Sequence, residues 1–229
     1  MSETPLALVT GASRGIGAAV AAALAPTHRL LLGGRDGEAL ARVAGDLRDA
    51  EPWPVDLTDF AAVQAATASL DRLDVLVHSA GVVELGRVED TRPESWRHTF
   101  EVNLVAVAEL TRVLLPALRA ARGHVVVINS GAGLNARPGW GAYAASKFAA
   151  RAFADVLRAE EEGNGLRVTS VFPGRTDTGM QRSVIAAEGK EYDPDAFLRP
   201  ASVAAVVAGA VAASRDAHQT EIVVRPASR

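Results

Sequence analysis

The sequence predicts an α/β fold, in which a doubly wound, seven-stranded parallel sheet carries helices on both faces. Short apolar runs alternate with longer stretches of helical period along the chain, which is typical of parallel strands joined by right-handed crossovers. The first apolar run leads directly into the glycine-rich loop TGASRGIG and then into an alanine-rich segment. No linker, repeat or low-complexity stretch interrupts the 229 residues, so we expect a single domain over residues 1–229.

The individual elements are predicted from hydrophobic period and boundary residues. The apolar run at residues 125–129 is uninterrupted, as expected of a central strand covered on both faces. Pro26 ends the first helix, and Asp36 and Thr58 are residue types that cap helix N-termini. The predicted strands are residues 6–9, 29–32, 54–55, 75–78, 125–129, 168–172 and 221–224. The predicted helices are residues 18–25, 37–47, 59–70, 93–121, 143–162 and 202–213, and residues 173–200 are predicted to be irregular.

The composition excludes several classes of protein. Lys and Arg number 24 against 27 Asp and Glu, a net charge of −3, which predicts neither a basic nucleic-acid face nor an acidic tail. The absence of cysteine rules out disulfides, thiolate metal sites and thiol nucleophiles. The first residues, MSETPL, lack the features of a secretory leader, and the longest uncharged apolar stretch, residues 203–213, is too short to cross a bilayer. We expect a cytoplasmic protein that binds no membrane, nucleic acid or metal.

The loop after the first strand has the composition of a dinucleotide-binding site. Gly11, Gly15 and Gly17 allow the backbone to turn tightly and to approach a pyrophosphate, which the N-terminus of the following helix stabilises. The alternative is a glycine-rich turn that binds no ligand.

The residues after the second strand indicate which dinucleotide is preferred. Arg35 stands close to where an acidic residue would bind the ribose hydroxyl of NAD. Together with Arg14 in the glycine loop, it suits the additional 2′-phosphate of NADP. Asp36 is the competing candidate for NAD, but its position before a helical run indicates an N-cap. We therefore predict NADP(H) in preference to NAD(H).

Tyr143 and Lys147 are four residues apart at the start of a predicted helix, so their side chains share one face. A phenol has a pKa of about 10 and is a poor acid catalyst at neutral pH, but an adjacent ammonium lowers that pKa. The chain contains only two lysines and two tyrosines, which argues against a coincidental pairing. The alternative is a surface lysine with the tyrosine packed beside it. We predict that the pair forms a proton donor.

These motifs resemble those of the short-chain dehydrogenase/reductase family, in its compact single-domain branch with a Rossmann fold. TGASRGIG resembles the family's cofactor loop, and YAASK resembles its catalytic Tyr-x-x-x-Lys. Ser130, 13 residues before Tyr143, matches the catalytic serine, and Asn103 in VNL matches the helix asparagine. The resemblance covers essentially the whole chain. The predicted cofactor-binding residues are Gly11, Ser13, Arg14, Gly15, Ile16, Gly17, Arg35, Asp56, Leu57, Ala80, Gly81, Tyr143, Lys147, Pro173, Gly174, Thr176 and Thr178.

The resemblance implies a proton relay in an NADPH-dependent oxidoreductase. Tyr143 would donate a proton to the carbonyl oxygen of a ketone or aldehyde, and Ser130 would hydrogen-bond that oxygen. Lys147 would hold the nicotinamide ribose and lower the pKa of the tyrosine. Asn103 would position a water beyond the lysine.

The resemblance also implies contacts at the two ends of the coenzyme and between copies of the chain. Asp56 would bond the adenine, and the PGRTDT loop, residues 173–178, would meet the nicotinamide end. A homodimer or homotetramer is expected, in which the helices around residues 95–121 and 143–162 pack against a partner.

Two positions depart from the family pattern. HSAG, residues 78–81, stands where the family often has NNAG, so an imidazole and a hydroxyl replace two amides. We expect His78 to be structural, because Tyr143 already fills the role of proton donor. Thr176 stands where an apolar branched residue is common, and we expect little effect on function.

The substrate side of the site is predicted to be apolar. Residues 175–200 are expected to form a mobile flap, whose apolar and aromatic residues are Met180, Val184, Ile185, Tyr192 and Phe197. The predicted substrate residues are Leu134 and Trp140 on one wall and Met180 and Val184 on the other. This lining suggests a small or medium apolar ketone or aldehyde. Arg175 is expected to be solvated, with an anionic substrate or the pyrophosphate as its alternative partner.

The leading hypothesis is therefore an NADPH-dependent carbonyl reductase. The first alternative is an NAD(P)+-dependent alcohol dehydrogenase, because the same site serves both directions of the reaction. The second is a non-catalytic NADP-binding regulatory protein on the same fold. The complete proton relay argues against the second alternative.

Overall fold

The computed structural model describes residues 4–227. Outside the described residues lie residues 1–3 and 228–229. The first of these ranges belongs to the N-terminal segment in which we expect no secretory leader. Seven parallel strands form one sheet in the order β3-β2-β1-β4-β5-β6-β7, which confirms the predicted fold class. The strands are Leu6–Thr10 (β1), Arg29–Gly34 (β2), Ala50–Pro54 (β3), Val75–His78 (β4), His124–Ile128 (β5), Arg167–Pro173 (β6) and Glu221–Val224 (β7).

Helices cover both faces of the sheet. They are Gly15–Leu24 (α1), Gly37–Gly45 (α2), Phe60–Thr67 (α3), Pro93–Phe100 (α4), Ala106–Ala121 (α5), Gly141–Glu161 (α6), Gly179–Ala187 (α7) and Pro200–Ala212 (α8). Val9 of β1 belongs to the core beneath α1 and α8, whereas its neighbour Leu8 belongs to the core beneath α5 and α6. Successive residues of a strand point to opposite faces, so an uninterrupted apolar run fits a sheet buried on both sides. Within residues 4–227, no helix combines the length and apolar character needed to cross a bilayer.

The strand order reverses at β1, because the chain fills the sheet first through β2 and β3 and then through β4 on the other side. Ligands of such sheets bind beyond the carboxyl ends of the strands at this reversal. Thr10, at the end of β1, ties this edge together. Its hydroxyl donates to the Val77 carbonyl (3.2 Å) and accepts from the backbone N–H groups of Ser79 (3.0 Å) and Ala80 (3.2 Å).

The third strand and the helix after it differ from the prediction. β3 begins at Ala50, although the sequence predicts a strand only at residues 54–55, because Pro52 and Pro54 conceal an edge strand. Asp59, and not Thr58, caps α3 by accepting from the Ala62 backbone N–H at 3.0 Å. Thr58 instead donates its backbone N–H and hydroxyl to Asp56.

Two longer predictions need correction. The helix predicted over residues 93–121 is interrupted by the π-helical turn Glu101–Val105. Such a turn widens the hydrogen-bonded helix locally but leaves the apolar pattern of the sequence close to helical, so it was not predicted. The segment predicted to be irregular, residues 173–200, contains α7 and the 3-10 turn Pro194–Ala196. The hydroxyl of Thr178 caps α7 by accepting from the Gln181 backbone N–H.

Two buried histidines lie within the sheet. Nε2 of His78 is 2.9 Å from the Thr111 hydroxyl, and Nε2 of His124 is 2.7 Å from the Thr169 hydroxyl. Both threonine hydroxyls donate to backbone carbonyls, so each accepts a hydrogen bond from the Nε2–H of its histidine. Burial lowers the pKa of both histidines from 6.5 to about 3. His78 is therefore neutral and enclosed, in agreement with the expected structural role.

We predict that the free energy of unfolding falls as the pH drops from 6.5 towards 3, because the unfolded chain protonates both histidines before the folded chain does. The double variant His78→Gln/His124→Gln keeps an amide N–H donor near each Nε2 but cannot titrate. Urea unfolding of both proteins at about pH 7 and about pH 5 should show the smaller loss in the variant. Equal losses would contradict the assignment.

Candidate active site

A cleft of about 300 Å³ opens at the carboxyl ends of the central strands. Most residues predicted to bind a cofactor line it. These are Gly11, Ser13, Arg14, Gly15, Ile16, Gly17, Arg35, Asp56, Leu57, Ala80, Gly81, Tyr143, Lys147 and Thr178, together with the predicted substrate residue Met180. Residues from six separate segments of the sequence therefore meet in one cleft.

The glycine loop forms a backbone cradle in which there is no room for side chains at Gly11 and Gly17. Gly11 and Gly15 have φ angles of +65° and +59°, a conformation that residues with a Cβ rarely adopt. A Cβ on Gly17 would lie 2.2 Å from the Gly11 carbonyl oxygen, and a Cβ on Gly11 would lie 2.8 Å from the Ala80 nitrogen. α1 then begins with no side-chain cap and no acidic residue in its first turn. This end of the cleft fits the pyrophosphate of a dinucleotide.

The far end of the cleft carries the charged residues expected near an adenosine. Arg35 follows β2 and lines the cleft, while the carboxylate of Asp36 is used to cap α2 by accepting from the Ala39 N–H at 3.0 Å. Asp36 is thus an N-cap, as predicted. Hydrogen bonds from the backbone N–H and hydroxyl of Thr58, with a smaller contribution from the Arg35 cation, hold the pKa of Asp56 below its usual value.

Tyr143 and Lys147 lie in the first two turns of α6, and both are about 7% exposed. Nζ of Lys147 donates to the Ile128 carbonyl at 3.1 Å and lies 5.8 Å from the centre of the Tyr143 ring. Both side chains also line the cleft. The predicted pairing on one helix face is therefore present.

The pKa of Tyr143 shifts in the direction opposite to the expected one. Burial raises it, and the hydrogen bond with Ser130 lowers it by less. The phenol consequently remains protonated at neutral pH. Burial also lowers the pKa of Lys147, from 10.5 to about 8.

Ser130 is the second residue after β5 and is held by its neighbour Asn129, which sequence reasoning missed. The Asn129 carboxamide oxygen accepts from the Ser130 backbone N–H at 2.8 Å, and its Nδ2 donates to the Lys147 carbonyl at 3.1 Å. Asn129 therefore fixes Ser130 and the lysine backbone relative to each other. The available signal was a polar residue at the end of an otherwise apolar run.

Asn103 lies in the π-helical turn, and its side chain is fully engaged. Nδ2 donates to the Val82 carbonyl (2.9 Å) and to the Ser146 hydroxyl (3.0 Å), while Oδ1 accepts from the Val82 N–H (2.9 Å). The Ser146 hydroxyl in turn donates to the Tyr143 carbonyl at 2.8 Å. Ser146 is thus a second supporting residue that sequence reasoning missed. The role of Asn103 in positioning a water stays a prediction.

Several other predicted residues stand outside the wall of this cleft. Pro173, Gly174 and Thr176 lie where β6 leaves the sheet, and the Thr176 hydroxyl donates to the Gly174 carbonyl at 3.0 Å. On the predicted substrate side, Trp140 packs edge-on to Tyr143, with ring centres 5.8 Å apart. The remaining candidates are Leu134, which follows the short turn after Ser130, and Val184, which is buried in α7.

Conversely, the cleft is also lined by residues not predicted, among them Val55, Ser79, Val82, His98, Val102, Asn129 and Gly179.

The region predicted to be a flap contains paired charges. The sequence predicts a solvated Arg175, whereas its guanidinium forms a two-pronged ion pair with Glu188 and its side chain is 31% exposed. The Tyr192 hydroxyl donates to Asp177, which also pairs with Arg182 at 3.2 Å. Thr176 and Leu198 form a β-bridge that closes the base of the segment.

Comparison with known proteins gives consistent matches. Residues 5–189 match the family model described as short chain dehydrogenase. The glycine betaine reductase ATRR of Emericella nidulans is 37% identical over 96% of this chain, which spans only 18% of that protein. Dehydrogenase/reductase SDR family member 7B of Bos taurus is 36% identical over 81% of this chain and 62% of its own length. The uncharacterized short-chain type dehydrogenase/reductase y4eK of Sinorhizobium fredii is 34% identical over 99% of this chain and 93% of that protein.

Solved structures match along almost the whole chain. An alcohol dehydrogenase from the archaeon Thermococcus sibiricus, complexed with 5-hydroxy-NADP, superposes with a TM-score of 0.89 at 28% identity, covering 98% of this chain and 97% of that one. A metagenomic short-chain oxidoreductase in complex with NADP gives a TM-score of 0.84 at 32% identity, with 99% of both chains covered.

The glycine cradle can be tested by a matched pair of substitutions. Gly17→Ala places a methyl group 2.2 Å from the Gly11 carbonyl oxygen and should lower the free energy of unfolding, by about 1–3 kcal/mol. Gly209→Ala, on α8 where nothing lies within 4 Å, should raise it by about 0.5–1 kcal/mol. Urea unfolding measures both. Equal stability of the two variants would show that the loop has room for a side chain.

Proposed function

Because this chain belongs to the short-chain dehydrogenase/reductase family, we propose that it is an NADP(H)-dependent oxidoreductase that reduces a ketone or aldehyde with Tyr143 as proton donor. The observation that carries the proposal is the buried Tyr143 phenol, hydrogen-bonded by Ser130 and adjacent to the Lys147 ammonium, in the cleft that the glycine loop closes at its other end.

The coenzyme would be held along the cleft by this chain's own groups. The glycine loop and the N-terminus of α1 would bind the pyrophosphate, and Asp56 with Leu57 would border the adenine. Arg14 and Arg35 would pair with the 2′-phosphate. The Lys147 ammonium would donate to the nicotinamide ribose.

When bound, NADPH supplies a hydride to the carbonyl carbon. Tyr143 donates its proton to the carbonyl oxygen, and the hydroxyl of Ser130 holds that oxygen in reach of the phenol. The raised pKa of Tyr143 keeps the phenol protonated at neutral pH, as a proton donor requires.

The similarity to a structure described as an alcohol dehydrogenase with an NADP derivative favours a second candidate, alcohol oxidation at the same site. The same residues would act in reverse, with Tyr143 accepting the proton. Initial rates in both directions, with NADPH plus ketones or aldehydes and with NADP+ plus the matching alcohols, distinguish the two.

The proton-donor assignment predicts that Tyr143→Phe lowers kcat for an accepted carbonyl by about 100-fold or more, because no other phenol lies next to Lys147. Turnover is followed by NADPH absorbance across a panel of ketones and aldehydes. Quenching of tryptophan fluorescence should show that NADPH binding is retained.

Tyr192→Phe is the matched control for this variant, since it removes the chain's other phenolic hydroxyl, which contacts Asp177 instead. It should retain kcat within about tenfold. Full turnover by Tyr143→Phe would refute the assignment.

The coenzyme preference predicts that Arg35→Ala reduces kcat/KM for NADPH by about tenfold or more while leaving that for NADH nearly unchanged, because only NADPH carries the 2′-phosphate. Arg48→Ala removes an exposed arginine just before β3, at the amino ends of the strands and so away from the cleft. It should change neither value. A wild-type protein that uses NADH as well as NADPH would overturn the preference.

A further inference from the structure

An ion pair joins the segment after β6 to the end of α7. Both terminal nitrogens of the Arg175 guanidinium contact Glu188, with Nη1 3.0 Å from Oε2 and Nη2 2.5 Å from Oε1. The Arg175 and Glu188 side chains are 31% and 17% exposed, so the pair is only partly solvated. Glu188 follows the last residue of α7, and the helix thus brings the carboxylate back to the end of the strand.

One aromatic ring, that of Trp140, links this ion pair to Tyr143. The Arg175 guanidinium carbon lies 6.0 Å from the centre of the Trp140 ring. The same indole packs edge-on against the Tyr143 ring at 5.8 Å. A carbonyl bound at the Tyr143 phenol, with a substituent lying along Trp140, would direct that substituent towards Arg175.

An unpaired arginine in this position would favour a carboxylate on the substrate, because a guanidinium binds carboxylates with two parallel hydrogen bonds. Glu188 already occupies that pair of donors. The hydrogen bond from Arg175 holds the pKa of Glu188 below its usual value, so the carboxylate stays ionised at neutral pH. An incoming anion would therefore meet an ion pair without net charge, in which the guanidinium donors are already bonded to Glu188.

The other cations of the same segment are also paired. Arg182 contacts Asp177 at 3.2 Å and lies over the Tyr192 ring. Lys190 contacts Glu188 at 3.2 Å, but its side chain is 64% exposed and its charge is screened by solvent. Within residues 174–192, each cationic side chain thus has an acidic partner.

We propose that Glu188 determines substrate specificity: by neutralising Arg175 it disfavours carbonyl compounds that carry a carboxylate beside the carbonyl, and it restricts the site to uncharged carbonyl compounds that pack against Trp140. This inference rests on the proposed function and adds the charge class of the substrate.

The test uses two ketones that differ only in charge, phenylglyoxylate and its methyl ester. Wild-type protein with NADPH should have the higher kcat/KM for the ester. Glu188→Gln keeps the side-chain shape but uncovers the Arg175 cation. It should raise the ratio of kcat/KM for the anion over that for the ester by about tenfold or more. This gain should shrink at high salt.

Three further variants separate charge from structure. Glu191→Gln removes a carboxylate three residues away and should leave the ratio unchanged. Arg175→Gln should lower the ratio below that of the wild type, because it leaves Glu188 without its cation. The double variant Arg175→Gln/Glu188→Gln should lose the gain of Glu188→Gln. A purely structural pair would change kcat/KM for both ketones equally, and an unchanged ratio in Glu188→Gln and Arg175→Gln would overturn the proposal.

A binding measurement separates this inference from the proposed function. If wild-type protein reduces neither ketone nor any other carbonyl, the proposed function fails, whereas affinity for phenylglyoxylate can still be measured by tryptophan fluorescence. Tighter binding of phenylglyoxylate, but not of the ester, to Glu188→Gln than to wild type would support the role of Glu188. Equal affinities would refute it.

Discussion

The buried ammonium of Lys147 is the constraint on which the candidate active site depends. A buried cation is costly unless its N–H donors find acceptors, and here the cost appears as a pKa lowered to about 8. The Ile128 carbonyl accepts one of the three donors. Under the proposed function, ribose hydroxyls would supply further acceptors for the ammonium, and the bound coenzyme would thereby lower the cost of burying it.

The surroundings of Lys147 are held by polar side chains from three parts of the chain. Asn129 joins the end of β5 to the backbone of α6, and Ser146 joins α6 to Asn103 in the π-helical turn. Asn103 then joins that turn to Val82, in the loop after β4. Each amide is buried and hydrogen-bonded, so loss of one partner leaves another unsatisfied. The lysine therefore sits in a framework that resists displacement from several sides.

The sequence alone predicts those features of the fold and the site that depend on residues close together in the chain. The parallel sheet follows from the alternation of elements, the Tyr143–Lys147 pair from the helical period, and the cap at Asp36 from its position before a helix. The sequence did not predict contacts between residues that lie far apart in the chain. Asn103 and Ser146 are 43 positions apart, and Arg175 and Glu188 are 13 apart across a helix that was itself not predicted. The pKa of Tyr143 was predicted in the wrong direction, because burial, which depends on the whole fold, raises it by more than the hydrogen bond with Ser130 lowers it.

The two prolines of β3 decide how the sheet can grow. The backbone of Asp49 and Val55 bonds to β2, so the even-numbered residues between them turn their nitrogens away from the sheet. Pro52 and Pro54 occupy two of these outward positions and have no N–H to offer. A further strand, whether from a second molecule or from a misfolded neighbour, finds almost no donors along this border. Any extension of the sheet is thereby directed to the opposite border, at β7.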